Sequence, residues 1–522
     1  MILEVFAHLN DSQVYVYFNS DTLYLPSIFR DLFVDHSGFN GWHLNGAPNF
    51  FPDMLFYFLF NTLIPDFRSA MVVYSLVQYL GLLLLVRWLF RTVFPDISEE
   101  ALAAGNLVMF IIFLVSFVPG DFVFTFYLLS ISYHLGAFLM AVASIIFTFR
   151  YLKRGRVYDL IILFTLGILG VLNDKLYMAM YILPLSSIIV LLFSTSFRKK
   201  AAALLGNGII VSLTGTLVYN WIKQSGYIHI ISLSWKFMNF SNIPASFHTM
   251  ISQHLTYLSH PDFRALSIIL TLLSFITGAV LAIRFLLQFF RGKISGDQEI
   301  VAGFYLVFSS AFWIIVLATP VINGSYVGYA ILRYNIYAIY LSLFNFAVFL
   351  HIWSKERNKR VNRLSVQVVL IILLLLPVLF FGKPFLRHGI KDVTQYYPDV
   401  VRRMDIIAEQ RDLNYGLATY WYAKYITMFS RTGVRIYTVY EDLSPWYHVT
   451  NENWYHQGGQ GKHGNPAFTF VLMDQIHAEK VGQKLGPPLE SIPFEGSRIN
   501  LYHSFVFDRE RNVVFTGTTG KD

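Results

Sequence analysis

The sequence predicts an α-helical polytopic membrane protein, with about ten visible transmembrane helices, carrying a C-terminal extracytoplasmic α/β domain. Three observations carry that fold class. Of 522 residues, 55% are hydrophobic and only 14% charged, with a mean hydropathy of +0.50, against roughly 25% charged residues in soluble domains. Apolar runs of the roughly 20 residues needed to cross about 30 Å of hydrocarbon recur along most of the chain, which excludes a lone signal peptide or anchor. After Phe385 the composition turns polar, with tryptophan and tyrosine scattered through it.

Residues 1–68 read as an external loop. Glu4, His8, Asn10 and Asp11 forbid a span near the start, because ionisable groups are costly at membrane depth. "FFPDMLFYFLFNTLI" (50–64) is too short to cross comfortably and reads as an interfacial helix on the outer face. Spans are expected near 69–90, 101–118, 124–149, 157–173, 176–193, 201–222, 265–290, 300–320, 333–353 and 364–382, giving a transmembrane domain over 69–384. Alternate connectors are basic: "RWLFR" (87–91), "RYLKRGR" (150–156), "FRKK" (197–200), "RFLLQFFRGK" (284–293) and "KERNKRVNR" (355–363). The positive-inside rule makes that set cytoplasmic and the intervening connectors external. Both chain ends then lie outside, so an eleventh helix upstream of residue 1 is expected. Residues 385–522 read as a soluble extracytoplasmic α/β domain, with helices near 396–412 and 420–431 and strands at 433–440, 468–473 and 499–507. The glycines of "NENWYHQGGQGKHGNP" (451–466) lack the strand and helix context of a nucleotide motif and are assigned to a loop.

The formal charge of +8 is explained by the short basic connectors, so no nucleic-acid partner is implied. With no cysteine, the chain has no disulfide, thiolate-bound zinc, iron–sulfur cluster or thiol catalysis. The same composition fits a bacterial inner (plasma) membrane better than an endoplasmic-reticulum membrane. Asn10, Asn239 and Asn323 fit the N-glycosylation triplet, which matters only in a eukaryotic host.

Several lone polar residues need another explanation. In "FNSDTLYLPSIFRDLF" (18–33), Ser20 or Asp21 could cap a short helix through Ile28 to Phe33, and Arg30 and Asp31 could fix the loop by pairing or capping. Asp53 interrupts an apolar run, Asp121 and His134 flank the outer end of the third span, Asp174 and Lys175 interrupt "GVLNDKLYMAMY", and Arg333 opens a late span. Pairwise neutralisation, Asp174 with Lys175 or Arg333 with a carboxylate, is the plainer reading. A shared site is the functional one: an outer-face acid acts as general base on a hydroxyl, while Lys or Arg holds a lipid-linked phosphate whose charge grows as its sugar departs. Arginine suits that task through its planar, permanently charged fork. Trp42, Tyr57 and Tyr133 could stack on sugar, although an interfacial belt explains most aromatics in such a chain.

The order of these elements resembles the type C (GT-C) superfamily of integral membrane glycosyltransferases. In that superfamily a first span leads into a large external loop holding an essential acid and interfacial helices, and "NSDTLYLPSIFRDLF" followed by "FFPDMLFYFLF" matches the order. The resemblance covers the chain from Asp21 to about residue 382. It implies Asp21 as catalytic base and, through "LRYN", Arg333 at the donor phosphate. Lys175 and His134 join Arg333 as donor-phosphate candidates, and Asp53, Asp174 and Asp121 are substrate-contacting or supporting acids. The adjacent Asp-Glu pair of the mannosyltransferases and the Asp-x-Asp and Trp-Trp-Asp signatures of the oligosaccharyltransferases are absent.

The implied activity is inverting transfer of a sugar from a polyprenyl-phosphate donor to a lipid, glycan or protein acceptor on the outer face. Membrane lipids are the remaining partners. No motif specifies a cofactor or assigns metal ligands, and a divalent metal is compatible with the resemblance. Two alternatives from other classes are a transporter or lipid flippase, and an accessory subunit of an envelope polysaccharide complex.

Overall fold

A computed structural model of the chain describes residues 9, 11–115, 123–231, 239–259, 264–294, 296–324, 326, 332–356, 393–456, 466–507 and 514–516. The protein is mostly helical, with a small sheet-containing C-terminal region. Among the described residues, six helical segments are long and apolar enough to cross a membrane: Phe67–Val93, Leu135–Arg154, Arg198–Gln224, Thr271–Phe290, Asp297–Ile322 and Arg333–Lys355.

In chain order, α1 (Asp11–Tyr17), α2 (Tyr24–Phe33), strand β1 (Trp42–Leu44) and α3 (Leu55–Leu63) precede the first long helix, α4 (Phe67–Val93). Asp66 starts α4 by accepting from the Ser69 amide at 3.0 Å, a side-chain cap on an otherwise orphaned donor. Then come α5 (Glu99–Val115), α6 (Val123–Leu129), α7 (Leu135–Arg154), α8 (Val157–Asn173), α9 (Leu183–Leu192) and α10 (Arg198–Gln224). After β2 (His229–Ile230) follow α11 (Ile243–Ser259), α12 (Arg264–Phe290), α13 (Asp297–Ile322), α14 (Leu332–Phe344) and α15 (Phe346–Glu356). Gly167 of α8 faces Val211 of α10, and Gly215 of α10 faces Val171 of α8. These small-residue contacts are the kind that let two apolar helices approach closely.

The expected ten spans differ from this in several places. The expected 124–149 helix is broken between α6 and α7, where Ser132 takes a left-handed φ of 67°. The 157–173 and 176–193 runs form apolar helices shorter than the other spans; the first is 17 residues long, about 26 Å at 1.5 Å per residue. It stops where Asn173 and Asp174 end the apolar run. The expected external loop after residue 223 contains α11, which exposes Phe247 and Ile251. The expected 364–382 span lies outside the described residues. Residues 50–54 form a π-helical turn that buries Pro52 and Asp53, whereas α3 exposes Leu55, Leu59 and Leu63.

The C-terminal region contains α16 (Asp399–Arg411), β3 (Tyr415–Ala418), α17 (Tyr420–Phe429), β4 (Arg435–Thr438), β5 (Thr450–Asn451), β6 (Phe468–Leu472), α18 (Ala478–Leu485), β7 (Glu490–Phe494), β8 (Ser497–Phe507) and β9 (Val514–Thr516). Its main sheet runs β4-β3-β6-β8-β7, with β9 also pairing β8. The pairs β4–β3 and β3–β6 are parallel, whereas β6–β8 and β8–β7 are antiparallel. Parallel neighbours need a crossover, and α17 supplies it between β3 and β4. A second sheet, β2-β1-β5, joins three remote segments of the chain.

The N-terminal helices are clasped between bundle and C-terminal region. Tyr17 bonds Ser75 of α4 at 2.8 Å, Ser20 Oγ donates to the Tyr420 carbonyl at 2.9 Å, and Arg30 donates to the Thr427 carbonyl at 2.8 Å. Asp31 accepts from Trp42 Nε1, Asn451 Nδ2 and Trp454 Nε1 at 2.7–2.8 Å. Arg30 and Asp31 therefore fix the loop. Neither Ser20 nor Asp21 caps α2, whose cap position is Leu23.

Candidate functional site

One cavity of about 490 Å³ opens at the end of the bundle that meets the C-terminal region. Its size falls within the roughly 300–1,000 Å³ of small-molecule sites. The helix ends explain its position. The starts of α7 and α14 and the ends of α8, α10 and α13 all reach it, through His134, Arg333, Asp174, Lys223 and Thr319. The described residues of the basic connectors lie at the ends of α4, α7, α12 and α15 or the starts of α8 and α10, so they occupy the opposite end.

The irregular backbone here has a purpose. Ser132, Tyr133 and His134, from the break before α7, all line the cavity. The wall formed by Asn45, Gly46 and Ala47 is braced from three sides. Tyr219 donates to the Gly46 carbonyl at 3.1 Å, Tyr24 to the Pro48 carbonyl at 3.2 Å, and Asn49 Nδ2 to the Ala47 and Ser132 carbonyls at 2.8 and 3.2 Å. Asn49 sits at a φ of 59°, a left-handed conformation that asparagine tolerates better than most residues.

Asp21 lies on this wall, held by two phenols. Tyr420 donates to Oδ1 at 2.6 Å and Tyr133 to Oδ2 at 3.3 Å. The loop is set locally as well, since Asn19 Oδ1 accepts from the Asp21 and Thr22 amides at 2.8 and 3.0 Å. Burial and the adjacent Asp21 charge raise the pKa of Tyr420 well above the phenol range, so it remains a donor.

Arg333 lines the same cavity, its charge interacting with Asp21 and Tyr133. Its Nη2 donates to Tyr334 at 3.0 Å, while its Nε is buried with no hydrogen-bond partner. Asp174 is paired with His134 at 2.5 Å and not with Lys175. The His134 ring packs on Tyr334 at 4.7 Å, and Lys175 lies 4.6 Å over the Tyr219 ring.

Asp21, His134, Asp174, Lys175 and Arg333 thus share one cavity. Asp53 lies behind it, 1% exposed, accepting from Tyr74 at 3.0 Å and Gln78 at 2.7 Å. Its other oxygen sits where a side chain on Gly136 would begin, so it braces the bundle and is not among the lining residues. Asp121 lies outside the described residues.

Three groups from the C-terminal region went unrecognised in the sequence. Besides Tyr420, His448 lines the cavity, and Lys424 lies buried beneath it, donating to the Val449 carbonyl at 2.9 Å. Burial pulls Lys424 down to about 7, against the opposing pull of Asp21. Burial, followed by the charge of Lys424, lowers His448 to about 4. The one signal for Lys424 was a lone base in the aromatic run "ATYWYAKYITMF".

The lining carries three cations, Lys175, Lys223 and Arg333, against two carboxylates, one of which is paired with a histidine. That balance suits an anionic ligand placed beside a single acid. Neither protein-family profiles nor characterised proteins give a match to this chain.

Proposed function

We propose that the chain is an inverting glycosyltransferase of the GT-C kind, taking a sugar from a polyprenyl-phosphate donor. The observation that carries this reading is Asp21 and Arg333 on the walls of one cavity, with Lys175 and Lys223 beside them. The site lies away from the basic connectors, hence on the extracytoplasmic side by the positive-inside rule. The finer architecture is then about ten spans with the C-terminal region external, and the cell membrane of a bacterium is the setting.

The chemistry follows from the charges. Asp21 takes the proton of an acceptor hydroxyl as its oxygen bonds to the anomeric carbon. The bond from that carbon to the phosphate oxygen breaks, and its electron pair leaves with the phosphate. The phosphate gains one negative charge, which Arg333 and Lys175 stabilise. The phenols of Tyr420 and Tyr133 hold the carboxylate in place, and the His134–Asp174 pair fixes the neighbouring wall.

A photoreactive polyprenyl phosphate tests donor binding. The wild-type chain in membranes is expected to be labelled, and an Arg333→Ala, Lys175→Ala double variant to be labelled at least about tenfold less. Equal labelling of the two would remove the donor-phosphate assignment.

A further inference from the structure

We infer that His43, His229 and Glu452 form a binding site for one divalent transition-metal ion of the Zn²⁺ type, which clips together three segments of chain at the rim of the cavity. One ligand atom from each residue can be chosen so that all three lie within 4.8 Å of one another. His43 Nε2 and Glu452 Oε2 are already 3.0 Å apart. A tetrahedral zinc ion with bonds of about 2.0–2.1 Å needs its ligand atoms roughly 3.3 Å apart, so the remaining closure falls mainly on His229. Two imidazoles and a carboxylate suit zinc, leaving a fourth position for water.

The second sheet builds this set. Parallel pairing of β1 with β2 places His43 beside His229, and their rings stack at 4.4 Å. Antiparallel pairing of β1 with β5 sets Trp42 opposite Asn451, and the next amide, Glu452, donates to the Gly41 carbonyl at 2.9 Å. Tyr447 covers the other face of the His43 ring at 5.0 Å. All three candidate ligands are half-buried, which permits entry of an ion yet limits the motion of the side chains.

The position gives the ion a mechanical role. Asn45–Ala47 follow β1, Ile231 follows β2 and Val449 precedes β5, and each of these lines the cavity. An ion joining the three strands would hold three walls in register. This inference stands apart from the transferase assignment, since it concerns metal binding alone.

The test uses the full chain in detergent with a purification tag free of histidine, stripped by chelator and titrated with Zn²⁺ alone. The expected result is one zinc per chain by elemental analysis, with a rise in Tm on the order of a few degrees. His229→Ala and Glu452→Gln are each expected to weaken binding at least about tenfold. The exposed His503→Ala variant is the control and should bind as wild type. X-ray absorption at the zinc edge of the wild-type protein, which needs no variant to fold, should read two imidazoles with oxygen ligands. No saturable zinc binding at micromolar concentrations, unchanged binding in both ligand variants, or a ligand shell without two imidazoles overturns the site.

Discussion

Tyr420, on the first turn of α17, donates its phenol hydrogen to Oδ1 of Asp21 at 2.6 Å, joining positions 399 residues apart. The C-terminal region therefore supplies part of the cavity and is more than an appendage to the bundle. Removing the hydroxyl with Tyr420→Phe leaves the ring packing intact and frees one oxygen of the carboxylate. Hydrogen bonds to charged groups contribute about 1.5–3 kcal/mol, so the expected loss in transfer rate is about tenfold or more. The measurement is kcat for wild type and variant with the same donor, and an unchanged kcat would mean that Tyr420 does not position the base.

The His134–Asp174 pair, 2.5 Å apart, is expected to act as a unit. His134→Gln and Asp174→Asn should each reduce transfer, and the double variant should be little worse than either single one. A double-mutant cycle measures this. Fully additive losses would mean that the two side chains act independently.

Asp31 joins the N-terminal loop to the C-terminal region by accepting from Trp42, Asn451 and Trp454. Asp31→Ala strands three donors, each costing about 1–3 kcal/mol when buried without a partner. The expected result is a loss of about 3 kcal/mol or more and faster proteolytic cleavage between residues 393 and 456. Thermal unfolding and limited proteolysis read the two effects, and wild-type behaviour in both would contradict the clasp.

Lys424 gives a pH signature. Its unfolded value is 10.5 and its folded value about 7, so between those limits the unfolded chain binds the extra proton. Stability from this group then rises with pH from about 7 to 10.5, with a slope of at most about 1.4 kcal/mol per pH unit. Below about 7 both states are protonated and the burial penalty is constant. Lys424→Met removes that penalty, so the variant's advantage over wild type is largest near pH 7 and shrinks toward pH 10. Tm measured across that range checks it; a difference independent of pH would contradict the assignment.

Much of the site was legible because charge at membrane depth is costly. That cost singled out His134, Asp174, Lys175 and Arg333, and the order of elements around the first external loop singled out Asp21; the fold brings these five to one cavity. The same logic selected Asp53, yet its carboxylate lies inside the bundle, with Oδ1 accepting from Tyr74 and Gln78 and Oδ2 buried without a hydrogen-bond partner. Composition could not separate those two outcomes. In the C-terminal region the helices near 399–411 and 420–429 and the strands at 435–438, 468–472 and 497–507 follow their sequence patterns. Strands β1, β2 and β5 were not legible, being two or three residues each and paired across the whole chain. For the same reason the grouping of His43, His229 and Glu452 has no spacing signature. The break before α7 also escaped notice, because nothing in "LLSISYHLGAF" matches a helix-breaking proline or glycine pattern.

Asp21 as the base in sugar transfer is the central claim, and the direct measurement is transfer from a panel of radiolabelled polyprenyl-phosphate sugars by membranes containing wild type or Asp21→Asn. The predicted result is donor-specific transfer by wild type, reduced by about 10²–10⁴-fold in the variant while the photoreactive donor still labels it. Equal transfer by the two chains, or none from any donor by folded wild-type protein, would contradict it.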